Sequence, residues 1–214
     1  MHIPDGFIST PVAVGGIAVA AGAVGYAVKA TNKKLGEKQI PLMGVLAAFI
    51  FAAQMLNFPV AGGTSGHFVG AALAAILLGP WAGVLIMTCV LAVQCLVFQD
   101  GGLLALGANI FNMGVVGCFL GYYVYRGVNA VTSRSKTGIL IGSGLAGWVS
   151  TVAAAIFCAL ELSISGTVPL HVALPAMGGI HALIGVGEGL ITAAVMALVV
   201  ATRPDLLGLQ TQKA

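Results

Sequence analysis

The chain opens MHIPDGFIST, and its first two residues can do metal chemistry without help from any other side chain. The free α-amine, the amide nitrogen of His2 and the His2 imidazole can close adjacent chelate rings around one ion. That leaves a single planar position open. Planar nitrogen coordination suits Ni(II) or Cu(II), whereas Zn(II) prefers a tetrahedron and Mg(II) or Ca(II) prefer oxygen. Binding of this kind releases protons from the amine and amide, so affinity falls at low pH. The bulky His2 disfavours removal of Met1, and Pro4 stiffens the backbone just beyond the donors. A fourth nitrogen is available from His67 in GGTSGHFVG. The tetrad is therefore the Met1 amine, the His2 amide, the His2 imidazole and the His67 imidazole. Asn57, Thr64, Ser65 and Gln94 are polar residues that could orient these rings. On this chemistry alone an unstructured end with an incidental histidine stays open as the alternative.

Other residues invite rival chemistry. His181 and Glu188 lie seven apart on the last apolar stretch, two turns along one helical face, among Gly185, Gly187 and Gly189. An intramembrane carboxylate is expensive unless paired, so a self-sufficient secondary transporter or channel using Glu188 and His181 is the rival reading. Glu161 and His171 are similarly placed, and a structural His/Glu hydrogen-bond network would explain the set equally well. Gly63-Thr64-Ser65-Gly66 matches the G-x-S-G of rhomboid intramembrane proteases, with Ser65 as nucleophile and His181 as base. The Trp-Arg loop motif of that family is missing, and a four-residue match is cheap among 31 glycines. Cys89, Cys95, Cys118 and Cys158 stand singly in apolar segments, which signals neither disulfides nor a thiolate metal site and suits small packing residues.

These groups need elements to position them. With 59% hydrophobic and 7% charged residues in 214, the chain is far from the ~25% charged content of soluble domains. Its long apolar stretches lack the alternation of membrane strands, so the expected fold is an all-α membrane bundle. Residues 39–99 contain no Asp, Glu, Lys or Arg, room for about three crossings of ~20 residues. Breaks at FPVAGGTSG and Gly79-Pro80 divide them. The expected spans are Pro11 to Val28, Pro41 to Asn57, His67 to Leu78, Pro80 to Phe98, Asn109 to Tyr125, Thr137 to Leu162 and Ala176 to Ala201. The short third span is expected to be tilted or partly re-entrant.

Seven crossings put segments 29–38, 126–136 and 203–213 on one face, and these hold all nine Lys and Arg residues. The positive-inside rule makes that face cytoplasmic, with the N-terminus outside and the C-terminus inside. The net charge of +3 thus orients the chain and calls for no nucleic acid partner. No basic n-region precedes the first apolar run, so no secretory signal is read there. The whole of 1–214 reads as a single membrane domain. Small residues at Gly44, Ala47, Ala48 and Ala52 would let helices approach closely, for internal packing or for docking another membrane protein.

Four stretches, MHIPDGFIS, GGTSGHFVGAALAAILLGPWAG, FQDGGLLALGANIFNMG and GGIHALIGVGEGLIT, resemble the substrate-binding S component, of CbiM/NikM type, of energy-coupling factor nickel and cobalt transporters. The resemblance covers nearly the whole chain. It implies a seven-helix bundle in a prokaryotic cell membrane, with residues 1–8 reaching inward and Met1, His2 and His67 as ligands. Ni(II) is the expected transported substrate, because low-spin d8 gains most from four in-plane nitrogens, and Co(II) is the runner-up. The resemblance also implies a transmembrane coupling subunit, two cytoplasmic ATPase subunits and often a small accessory membrane subunit. No P-loop occurs in this chain, so the expected role is not enzymatic.

Overall fold

A computed structural model describes residues 1–34, 36, 39–207 and 209. Apolar composition and sparse turn residues give long helices. These are α1 (Thr10–Lys34), α2 (Ile40–Gln54), α3 (Ala71–Leu78), α4 (Pro80–Phe98), α5 (Leu106–Asn109), α6 (Gly117–Val131), α7 (Lys136–Ile164) and α8 (Leu170–Thr202). A π-helical stretch, Ile110–Val116, joins α5 to α6, so residues 106–131 form one continuous rod. Among the described residues, four helices, α1, α4, α7 and α8, are long and apolar enough to cross a membrane, and α2 is a shorter apolar helix. Leu183, Leu190, Leu198 and Val45 are each more than 60% exposed, the surface of a protein dissolved in lipid rather than water. Lys38 and Lys213, two of the basic residues used to orient the chain, lie outside the described residues.

The third span departs from expectation. Its helix begins at Ala71, not His67, so the histidine sits in non-helical backbone. The preceding segment turns through a two-residue antiparallel ladder in which Phe58 and Pro59 pair with Gly66 and Ser65, and His67 to Gly70 then continue as buried irregular backbone. Gly70 marks the entry to α3 with a left-handed φ of +79°, and a Cβ there would lie 2.7 Å from Ile50 Cγ1. A helix could not be continued backwards through that conformation. All seven residues from Ala71 to Leu77 are buried, so α3 is a short half-helix enclosed by the others. Non-helical backbone at such depth is tolerated because protein, not lipid, surrounds it.

Helix α8 starts at Leu170, earlier than the expected Ala176, and carries Pro175 within its second turn. Pro175 has no N–H to give His171, so one backbone bond of the second turn is missing while the helix continues on both sides of it. Its longest contact is with α7, and α6 packs on the other side of α7. Helix α1 crosses α5 with the backbones touching, since a Cβ on Gly16 would come within 2.8 Å of the Ala108 nitrogen. On α2, Gly44, Ala48 and Ala52 are exposed while Ala47 is half-buried against the core, so only part of that small-residue set serves internal packing.

Candidate metal centre

Residues 1–9 are not helical, and the first three of them go inward. Met1 and Ile3 are fully buried and His2 is 3% exposed. Three anchors hold this segment to α5 and the loop before it. The buried side chain of Asn109 grips both backbone groups of Ile3, accepting its N–H at 2.9 Å and donating to its carbonyl at 3.2 Å. Gly102 N donates to the same carbonyl at 2.8 Å. The Asp5 carboxylate accepts the amides of Leu103 and Leu104 at 3.0 and 2.8 Å. Beyond them, the Thr167 hydroxyl donates to the Phe7 carbonyl.

Folded in this way, the amino end meets the Gly-rich loop. The Met1 amine donates to the Ser65 carbonyl and, at 2.7 Å, to the Ser65 hydroxyl. The His2 amide donates to that same hydroxyl at 3.1 Å. One oxygen thus bridges the two backbone nitrogens that a chelate would use. The His2 ring lies 4.5 Å from the His67 ring, nearly parallel to it at 22°. Gln94 Oε1 holds His2 Nε2 at 3.0 Å. His2 Nδ1 lies 3.3 Å from Asp100 Oδ1 and makes no hydrogen bond. Asp100 is steadied in turn by Asn57 Nδ2 at 2.7 Å. His67 Nδ1 is taken by the Phe68 carbonyl at 2.6 Å, which leaves His67 Nε2 buried without a partner.

The electrostatics favour uncharged donors. Burial pushes the Met1 amine down to about 5, and burial followed by the neighbouring amine pushes His2 down to about 3. Burial moves Asp100 the other way, above the usual carboxylate range. A neutral amine and neutral imidazoles carry the free lone pairs that a metal ion requires. Among the described residues no group of three or more His, Cys, Asp or Glu side chains could hold an ion. A donor set at this place would have to include groups other than these four side-chain types, and backbone nitrogen is one of those present.

The structure sorts the residues expected to orient the rings. Ser65 and Gln94 touch the amino end directly, and Asn57 acts through Asp100. Thr64 does not take part, because its hydroxyl faces Cys158 Sγ at 3.8 Å and Met177 Sδ at 4.0 Å. His171 is exposed, away from the cluster. Glu161 accepts from Asn112 in the π-helical stretch at 2.6 Å. The protease pairing finds no support, since His181 Nδ1 bonds the Met177 carbonyl at 2.7 Å and no hydrogen bond joins its ring to the Ser65 hydroxyl among the described residues. Sequence reasoning missed Asn109, Asp100 and Gln54, whose Nε2 donates to the Val69 carbonyl two residues from His67. Asn109 and Gln54 were visible as amides inside apolar stretches, where a buried polar group demands a partner.

Truncating Asn109 to alanine leaves the Ile3 N–H without an acceptor while Gly102 still serves the carbonyl. The expected loss is roughly 1–3 kcal/mol, the desolvation penalty of one buried unsatisfied donor. A lower unfolding midpoint of the detergent-solubilised protein would register it, and an unchanged midpoint would mean that the amino end is not docked as described.

The fold and this cluster define a helical membrane protein whose own amino end is buried against a loop that carries a second histidine. Residues 2–206 match the family model described as CbiM, cobalt uptake substrate-specific transmembrane region, and the chain belongs to that family. A protein of Archaeoglobus fulgidus provisionally named as a fused nickel transport protein, NikMN, is 48% identical over 209 residues, covering 97% of this chain and 68% of that protein. The cobalt transport protein CbiM of Geobacter sulfurreducens is 35% identical over 217 residues, covering 97% of this chain and 61% of its own length. A crystal structure of a truncated transition metal transporter superposes with a TM-score of 0.85 at 35% identity, covering 96% of this chain and 99% of that one.

Proposed function

We propose that this chain is the high-affinity substrate-binding membrane subunit of an ATP-driven energy-coupling factor importer, with Ni(II) as substrate and Co(II) second. The observation that carries the reading is the burial of the chain's own amino end against Ser65, with the His2 ring laid over His67. Met1 and His2 supply amine, amide and imidazole nitrogen, and the unpartnered His67 Nε2 supplies the fourth donor. Loading requires the metal to displace the Ser65 hydroxyl from the two backbone nitrogens. It also requires the rings to turn from face-to-face stacking so that nitrogens, not ring faces, converge. Four in-plane nitrogens reward low-spin d8 Ni(II) most, which sets the order of the two metals.

In this reading residues 1–214 form one membrane domain and residues 1–8 are part of its binding site. The crossings number seven if the buried half-helix α3 and the rod 106–131 are each counted once, which puts the N-terminus outside and the C-terminus in the cytoplasm of a prokaryotic cell. Arg126, Arg134, Lys136 and Arg203 then share the cytoplasmic face. The expected partners are the transmembrane coupling subunit, two cytoplasmic ATPases and a small accessory membrane subunit. The rival reading, an autonomous channel using Glu188 and His181, loses its support because both Glu188 oxygens are already engaged by backbone amides.

Purified with its native amino end, the protein is expected to bind one Ni(II) per chain and to develop the visible absorption band of a planar d8 complex. Substoichiometric binding, or the spectrum of an octahedral ion, would overturn the four-nitrogen site.

A further inference from the structure

Glu188 is the sole acidic residue of α8, and it is 1% exposed. Its two carboxylate oxygens accept the Val69 amide at 2.6 Å and the Gly70 amide at 2.7 Å. These are the amides at the inward-facing start of α3. That start has no cap of its own, because Gly70 has no side chain to offer. Gln54 Nε2 donates to the Val69 carbonyl at 2.6 Å, so both backbone polar groups of Val69 are held by buried side chains from other helices. His67 lies two residues away, its Nδ1 fixed by the Phe68 carbonyl between them.

A neutral cap would satisfy the amides, so hydrogen bonding alone does not call for a carboxylate here. The electrostatics do. An uncapped helix start presents about half a positive charge to its surroundings, which is the wrong sign beside a cation site. A divalent ion held by one deprotonated amide and three neutral nitrogens also keeps a net single positive charge in a low-dielectric interior, where such a charge is costly. The two donated amides favour the ionised form of Glu188, which places an enclosed negative charge at the loop. Asp100, the carboxylate beside His2, is 19% exposed and partly screened by solvent.

From this geometry we infer that Glu188 is a positioning and charge-balancing residue of the metal site: it caps the half-helix that carries His67 and offsets the charge of the bound cation. The inference rests on the preceding reading that Met1, His2 and His67 hold the ion. It gives Glu188 a fixed electrostatic task in place of a role as a mobile proton carrier.

The test compares Glu188→Gln and Glu188→Asp in protein with its native amino end, titrated with Ni(II) while the visible band and the metal-free unfolding midpoint are followed. Glu188→Gln keeps the size but loses the charge and one acceptor, and its affinity is expected to fall by about 10- to 100-fold, the usual scale for a group that orients a metal ligand. Its planar band is expected to shift, because His67 is no longer held in place. Glu188→Asp keeps the charge and is expected to recover most of the affinity. Wild-type affinity and band in Glu188→Gln would overturn the inference. So would equal losses in both variants, or a loss explained wholly by a smaller folded fraction with the band unmoved. If instead the wild type fails to give a planar complex, or His67→Ala binds normally, the ligand assignment itself fails, whatever Glu188 does.

Discussion

A single glycine ahead of Met1, such as the scar of a cleaved tag, is expected to abolish high-affinity Ni(II) binding. The added residue converts the α-amine into an ordinary amide and moves the free amine one residue too far for the same chelate. Removing an outer-shell partner of a metal ligand lowers affinity about 10- to 100-fold, so loss of a donor should exceed about a hundredfold. Sterics act in the same direction. Met1 is fully buried and its nitrogen lies against both Ser65 oxygens, leaving no room for another residue without displacing the loop. Overpacking of this kind costs about 1–3 kcal/mol. Gly-Met-His could itself offer amine, two amides and imidazole. Calorimetric titration of the native and glycine-extended proteins is therefore repeated with His67→Ala, and equal affinities that both depend on His67 would remove the Met1 amine from the site.

The second large effect separates two imidazoles. His67 and His181 are both buried, and each has one ring nitrogen in a backbone hydrogen bond and an Nε2 without a partner. Only His67 stacks on His2 among the described residues. His67→Ala is therefore expected to lower Ni(II) affinity by more than about a hundredfold, since it removes the fourth donor and leaves a tridentate amino end. His181→Ala is expected to keep the planar band and to lose at most about tenfold. Should the two variants exchange these phenotypes, His181 would be the fourth ligand. Should both bind as the wild type does, the site lies elsewhere.

Much of the fold could be read from the sequence because lipid imposes a simple rule. Every backbone polar group within the bilayer must be satisfied locally, so long uncharged stretches become helices. The stretches ending near Phe98 and Leu162 were placed within two residues of the helix ends in α4 and α7. The exceptions have local causes. The span beginning at His67 loses its first turn to the left-handed Gly70, and α8 starts six residues early because Pro175 removes one backbone bond without ending the helix. Site residues were legible when their chemistry was self-announcing, as with an amine next to His2, or when a histidine stood alone in a glycine-rich loop.

Sequence alone determined the membrane class, the long helices and the chelating capacity of the first two residues, because composition and covalent adjacency are local properties. Which distant groups meet was decided by the tertiary structure. The contacts of Met1 with Ser65, His2 with Gln94, Ile3 with Asn109 and Val69 with Glu188 join residues far apart in the chain. No periodicity encodes such pairings. They follow from burial, since an amino end, an amide and a half-helix start taken out of water must each find a partner wherever the packed helices happen to offer one.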